Sequence, residues 1–198
     1  MAIKASDVQV LRERTNVGML DCKKALEEAN GDIEKAIVIL REKGIAKSLK
    51  RADKEAKEGQ IFAYIHNGNK LGVLLEVNCE TDFVARTEDF SNLVKEFAMQ
   101  IAATAPICIN KEELPKEKLE EESEIARKQL EAEGKPKNII EKIIPGKLEK
   151  YYSEVCLLEQ VSIKDGSKKM KDILNEYRMK TGENLVIRRF VRYKLGEK

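Results

Sequence analysis

The chain has 198 residues, 42% of them hydrophobic and 36% charged; that suits one large domain or two smaller ones, and the apolar periodicity along most of it excludes a disordered polyampholyte. Its 37 basic and 35 acidic residues leave a formal net charge of +2, which argues against non-specific nucleic-acid binding as the main task, since neutralising phosphates needs a clear basic excess. No run of about 18 apolar residues offers a membrane span, and Met1-Ala2-Ile3-Lys4 has neither the apolar core of a signal peptide nor the bias of a transit peptide, so the expected location is the cytoplasm.

Residues 1–44 read as three short helices. Ser6 and Gln9 have capping-box spacing, and Val8 and Leu11 begin an apolar stripe. Thr15-Asn16-Val17-Gly18 breaks the first helix. A second runs from about Met19 to Ala29 with Met19, Cys22 and Leu26 on one side, and Asn30-Gly31 ends it. Asp32 caps a third, where Ile33, Ala36, Ile37 and Leu40 recur at helical spacing and Gly44 is the expected stop. Each is too short to be stable alone, so the three must share a core. Residues 45–58 are highly charged with almost no apolar period and read as a helical or flexible linker.

A hairpin follows, Gln60–Ile65 and Lys70–Asn78, with Asn67-Gly68 favouring a type I′ turn. The second strand sends Leu71, Val73, Leu75, Val77 and Cys79 to one face. Thr87 caps a strong helix carrying Phe90, Leu93, Val94, Phe97 and Ile101, with Pro106 past its end. Residues 113–134 form a charged helix with a thin stripe of Leu119, Ala126 and Leu130. After Gly134 a further helix carries Ile139, Ile140, Ile143 and Ile144, and Pro145-Gly146 is expected to kink or interrupt it. Residues 155–163 look extended. Ser167 is placed to cap a helix with Met170, Ile173, Leu174 and Tyr177 inward, closed by Thr181-Gly182. The last strand, Asn184–Leu195, puts Leu185, Ile187, Val191, Tyr193 and Leu195 on one face and Arg188, Arg192 and Lys194 on the other. Three strands far apart in sequence most simply form one antiparallel sheet with helices packed on it, an α+β unit over 59–198.

Reactive chemistry is sparse. Cys22, Cys79, Cys108 and Cys156 lie far apart without a C-x-x-C pair and read as reduced thiols, not a zinc site. The one histidine, His66, falls in the hairpin turn. There is no G-x-x-x-x-G-K-[ST] loop and no nucleophile motif, so neither a P-loop GTPase nor a covalent catalyst is indicated. No cofactor or metal is expected.

Two segments carry more information. One runs from Leu11 to Leu26 (LRERTNVGMLDCKKAL), the other from Glu76 to Arg86 (EVNCETDFVAR). Both resemble the signature motifs of the elongation factor Ts family, in that family's order and near its spacing, and Ile187–Tyr193 resembles the closing strand of its short members. The resemblance spans nearly the whole chain. It implies a ubiquitin-associated-like helical domain at 1–44 joined to an α+β core, and an exchange factor that binds elongation factor Tu with GDP, disturbs the Mg²⁺ and phosphate site and promotes GDP release without catalytic chemistry. Carried over by match, the segment facing the GTPase is Thr81, Asp82, Phe83 and Val84, with N-terminal contacts from Arg12, Met19 and Leu20. The chain departs from the pattern at Asn16, where the family has glycine, and at Leu20, where it has methionine. It also lacks the coiled-coil insertion and C-terminal module of longer members, and short members complete the core as homodimers, so a homodimer is expected.

Periodicity alone makes Phe83 a core aromatic at a strand end, Met19 a helix-start core residue and Arg12 a solvated one; the motif context turns all three toward a partner. Two rivals remain. One is a nucleic-acid module on the last strand, where Arg188, Arg189, Phe190, Arg192 and Tyr193 interleave charge with rings. The other is an adaptor for a ubiquitin-like domain, which leaves the second motif unexplained.

Overall fold

The computed structural model describes residues 3–15, 17–51 and 54–197. Asn16, the expected helix break, lies outside them, as do Ala52 and Asp53 of the linker. The fold is α+β. Its elements are α1 (Ala5–Thr15), α2 (Met19–Glu28), α3 (Ile33–Arg51), β1 (Glu58–Ile65), β2 (Leu71–Cys79), α4 (Asp82–Ala85), α5 (Glu88–Thr104), α6 (Lys116–Ala132), α7 (Lys137–Val155), α8 (Met170–Thr181) and β3 (Val186–Lys194). The strands form one antiparallel sheet in the order β1-β2-β3. Two compact units emerge: Met1–Ile61 with Glu76–Leu93 and Asp172–Arg188, and Phe62–Leu75 with Val94–Lys171 and Arg189–Lys198.

In the first unit, Leu11, Cys22, Ala25, Leu26, Ala29, Ala36 and Leu40 make one buried cluster, with Val8, Val17, Ile33 and Ile37 packed around it. The Asp32 carboxylate accepts the Lys35 amide at 3.0 Å, capping α3 as its position predicts. Asn30 and Gly31 both take positive φ, 52° and 87°, and the Gly31 amide reaches back to Leu26 O at 2.8 Å to close α2. Ser6 does not cap α1. The helix already includes Ala5, and the Ser6 hydroxyl donates to Asp7 instead.

Gly44 is not a stop, because α3 continues to Arg51. A Cβ at Gly44 would lie 1.7 Å from Met179 Sδ. The end of the Met179 side chain occupies the space a Cβ would take, and a helix interior tolerates the glycine at a modest cost of about 1 kcal/mol.

The inward faces of β2 and α5 follow their periodicity. Val73, Leu75, Val77 and Cys79 are buried, as are Phe90, Leu93, Val94, Phe97 and Ile101. The Thr87 hydroxyl accepts the Phe90 amide at 3.2 Å. The hairpin turn is longer than a two-residue type I′. The His66 amide donates to Leu71 O and the Asn69 amide to His66 O, and positive φ falls at Gly68 and Asn69 rather than at Asn67 and Gly68.

In the second unit, α6 and α7 form an antiparallel pair around buried Leu130, Ile140 and Ile144. The α7 helix is not interrupted at Pro145. Proline removes the hydrogen bond to the carbonyl of Glu141, but 141, 145 and 146 are all exposed, so that carbonyl is not stranded in an apolar interior, while Ile140 and Ile144 anchor the helix ahead of it.

Residues 155–163 are extended only in part. Cys156 and Gln160 keep extended backbone on either side of a single 3₁₀ turn, Leu157–Glu159, Cys156 and Val161 form isolated bridges to Cys108 and Lys169, and buried side chains brace the segment further. Gln100 Nε2 donates to Gln160 Oε1 and to Val161 O, both at 3.1 Å, and Gln100 Oε1 accepts the Ile163 amide at 2.9 Å. Both glutamines are buried, and burial obliges such partners. Ser167 bonds Asp165 rather than capping α8.

The last strand loses its alternation. Leu185 and Ile187 are buried, but Arg188 and Arg189 are both exposed, and beyond them Val191, Tyr193 and Leu195 face solvent. Arg192 is the residue turned toward α5, its Nε donating to Ala102 O at 3.2 Å.

Candidate partner-binding site

Phe83 decides the site, and it is 81% exposed. It sits on α4, a single helical turn immediately after β2. Thr81 caps that turn, its hydroxyl accepting the Val84 amide at 3.4 Å. Ala85 is buried and faces inward, which places the neighbouring Phe83 outward. Asp82 and Arg86 pair at 3.0 Å across the turn. Thr81, Asp82 and Val84 are half-buried.

The turn is braced from three directions within its own unit. From β1, Gln60 Nε2 donates to Ala85 O at 2.6 Å and to Ser91 Oγ at 3.1 Å. From the start of α5, the Thr87 hydroxyl donates to Val84 O at 2.8 Å. The third brace comes from about 100 residues along the chain. The Glu183 carboxylate accepts the amides of Glu80 (3.0 Å) and Thr81 (3.1 Å) and the Thr81 hydroxyl (2.6 Å). In return the Glu80 carboxylate accepts the Asn184 amide at 2.7 Å. Hydrogen bonds to an ionised acceptor are about twice as strong as neutral ones, so this reciprocal clamp is the stiffest part of the mount. Sequence reasoning missed Glu183. Its only local signal is a lone acid after Thr181-Gly182, and nothing along the chain connects it to Thr81.

The N-terminal candidates belong to the same unit. Met19 and Leu20, in the first turn of α2, are 57% and 67% exposed, and Arg12 on α1 is also exposed. The inward stripe of α2 is therefore Cys22, Ala25 and Leu26, without Met19. The turn ahead of α2 is pinned by the Thr15 hydroxyl, which donates to Leu11 O at 2.7 Å, and by Cys22 Sγ, which donates to Val17 O at 3.4 Å. A cavity of about 150 Å³ in the same unit is lined by Val17, Asp21 and Gly44 and by Met179, Gly182 and the clamp residue Glu183.

Other chemistry is thin. Among the described residues no group of His, Cys, Asp and Glu is placed to hold a metal, and no described helix is long and apolar enough to cross a membrane. On β3, the side chain of Arg192 is largely covered and its Nη1 pairs with Glu197 at 2.6 Å, so the charge–aromatic interleaving read from the last strand loses one of its cations to internal contacts.

Comparison with known proteins agrees with both motifs. The model of the family described as Elongation factor TS matches residues 3–197. Elongation factor Ts of Caldanaerobacter subterraneus subsp. tengcongensis is 60% identical over 195 residues, covering 98% of each chain. That of Moorella thermoacetica is 58% identical over 98% of this chain and 96% of its own, and that of Desulforamulus reducens 55% over 98% and 90%. The family is named for a translation factor rather than an enzyme. With an exposed aromatic mounted on the second motif and a match over nearly its full length, the chain belongs to the elongation factor Ts family of translation elongation factors.

Proposed function

We propose that this protein binds elongation factor Tu in its GDP state and accelerates nucleotide release, using Phe83 as a wedge. The observation that carries this is a ring 81% exposed on a turn held by charge-assisted hydrogen bonds. A rigid aromatic loses little entropy on burial and presents a large area. The Mg²⁺ that accompanies GDP demands near-ideal octahedral geometry at about 2.1 Å, so shifting the surrounding loops by about 1 Å weakens metal and phosphate binding together. Thr81 and Val84 hold the wedge, and Asp82 offers an acceptor or a repelling charge to the disturbed site. Linkage makes the effect reciprocal: a nucleotide that is bound less tightly in the complex weakens the complex when it binds, and incoming GTP releases the factor. No bond is made or broken in this protein.

In the same reading, residues 1–44 act as a ubiquitin-associated-like unit that grips the partner through Arg12, Met19 and Leu20; residues 45–58 link it to the core at 59–198. The core pairs with a second copy. Support for that comes from the outer sheet face of the second unit, where Ile65, Leu74, Val191, Tyr193 and Leu195 are exposed together on the side opposite Arg192 and α5. Apolar patches of this kind on soluble proteins mark interaction surfaces. The protein works in the cytoplasm, without direct contact to nucleic acid or membrane.

The test is release of a fluorescent GDP from elongation factor Tu in a stopped-flow instrument. The wild-type protein should accelerate it strongly, and Phe83→Ala should remove most of the acceleration while unfolding at the same temperature, because an exposed ring contributes little to stability. An unaltered rate with Phe83→Ala removes the wedge from the mechanism.

A further inference from the structure

The four cysteines divide into two kinds. Cys22 and Cys79 each donate to a backbone carbonyl of their own neighbourhood, Val17 O and Thr81 O. Cys108 and Cys156 face each other, with Sγ atoms 3.4 Å apart, both buried, in the second unit. Their backbones form an isolated parallel bridge, fixed on both sides: the Ile107 amide donates to Val155 O at 2.9 Å and the Leu157 amide to Cys108 O at 3.0 Å. Bridged backbones lie about 4.8 Å apart, inside the window of about 4.4–6.8 Å between Cα atoms that a disulfide requires. Closing the bond needs rotation of two side chains and no movement of the chain.

We propose that Cys108 and Cys156 are a redox-active dithiol that closes into an intrachain disulfide by exchange with a low-molecular-weight disulfide. The thiolate of Cys108, the less buried of the two, attacks one sulfur of the small disulfide and expels one small thiol. Cys156 then loses its proton to solvent and displaces the second small thiol from the mixed disulfide. Two cysteine thiols and one small disulfide become one protein disulfide and two small thiols, and no other oxidant is needed. The bond would tie off the base of the α6–α7 hairpin, where Leu114, Leu119, Tyr151 and Tyr152 pack around the pair. Burial pushes both thiols up, Cys156 to about 12, so the exchange runs slowly through brief local openings, and the pair stays reduced unless the oxidant persists.

The experiment incubates the intact, native protein with excess oxidised glutathione without denaturant, then counts free thiols and maps disulfide-linked peptides by mass spectrometry. The expected result is a fall from four free thiols to two, one peptide pair joining Cys108 to Cys156, and a rise of about 5–10 °C in the unfolding midpoint that dithiothreitol reverses, from closing a loop of roughly 50 residues. Cys108→Ser and Cys156→Ser should abolish the pair, and the wild-type map carries the test even if either variant folds poorly. Four thiols persisting after prolonged exposure, a bond that includes Cys22 or Cys79, a bond between chains, or glutathione adducts without closure would each overturn the proposal.

Discussion

Replacing Glu183 by alanine removes the acceptor of three hydrogen bonds at once, from the Glu80 and Thr81 amides and the Thr81 hydroxyl. Each bond to a charged acceptor contributes about 1.5–3 kcal/mol, but the donors are half-buried and water replaces part of the loss. A net cost of about 2–3 kcal/mol follows, roughly 5–10 °C in the unfolding midpoint for a protein of this length. Well below that midpoint the chain stays folded while the mount of Phe83 loosens. A bias of about 2 kcal/mol toward the outward ring is a factor of roughly 30 in its population, so the GDP-release rate at saturating factor should fall by about 10- to 30-fold. Half-saturation should move less, because Arg12, Met19 and Leu20 are untouched. Glu183→Gln keeps an oxygen for the two amides, and the Thr81 hydroxyl turns to accept from the new NH₂, so most of the rate should return. Stopped-flow exchange with both variants, alongside thermal unfolding, decides the matter. If Glu183→Ala exchanges nucleotide as fast as the wild type, the clamp does not position the ring.

Met19→Ala with Leu20→Ala should leave the unfolding midpoint within about 2 °C, both side chains being exposed, yet weaken the complex with elongation factor Tu by about 10- to 100-fold by calorimetry, the range for losing apolar contact residues of an interface. Tyr193→Lys, placing a charge on the exposed outer sheet face, should shift sedimentation from dimer to monomer. Glu159 ties the 3₁₀ turn to the start of α8 through Lys169 at 2.9 Å and Lys171 at 3.2 Å; burial pushes its carboxyl up, but the hydrogen bonds and charges of the two lysines outweigh that and hold it below the usual carboxylate range. A depressed carboxyl stabilises the fold above its unfolded value and loses that contribution as pH falls through its folded value. Glu159→Gln should therefore be less stable than the wild type at pH 7, with the gap closing below about pH 4 in urea unfolding. A gap independent of pH would refute the ion-pair account.

Local rules accounted for whatever depends on neighbours along the chain. The Asp32 and Thr87 caps, the Asn30-Gly31 ending, the inward face of β2 and the stripe of α5 all follow from spacing, because burial and capping act within one or two turns. The two motifs likewise carried the family. Spacing failed where the partner is remote. Gly44 looks like a helix stop, yet α3 runs on past it, and the Met179 side chain that fills the space beside it comes from a remote helix. Residues 155–163 look extended, and they are so only around a 3₁₀ turn, because their bridging partners, Cys108 and Lys169, give isolated bridges in place of a continuous ladder. Met19, Tyr193 and Leu195 fit apolar periods yet lie in solvent, since periodicity gives a face and cannot say whether anything covers it. Glu183 and the Cys108–Cys156 pair belong to the same class. A carboxylate about 100 residues from its donors, and two thiols 48 residues apart in sequence, become neighbours only when the chain has closed on itself.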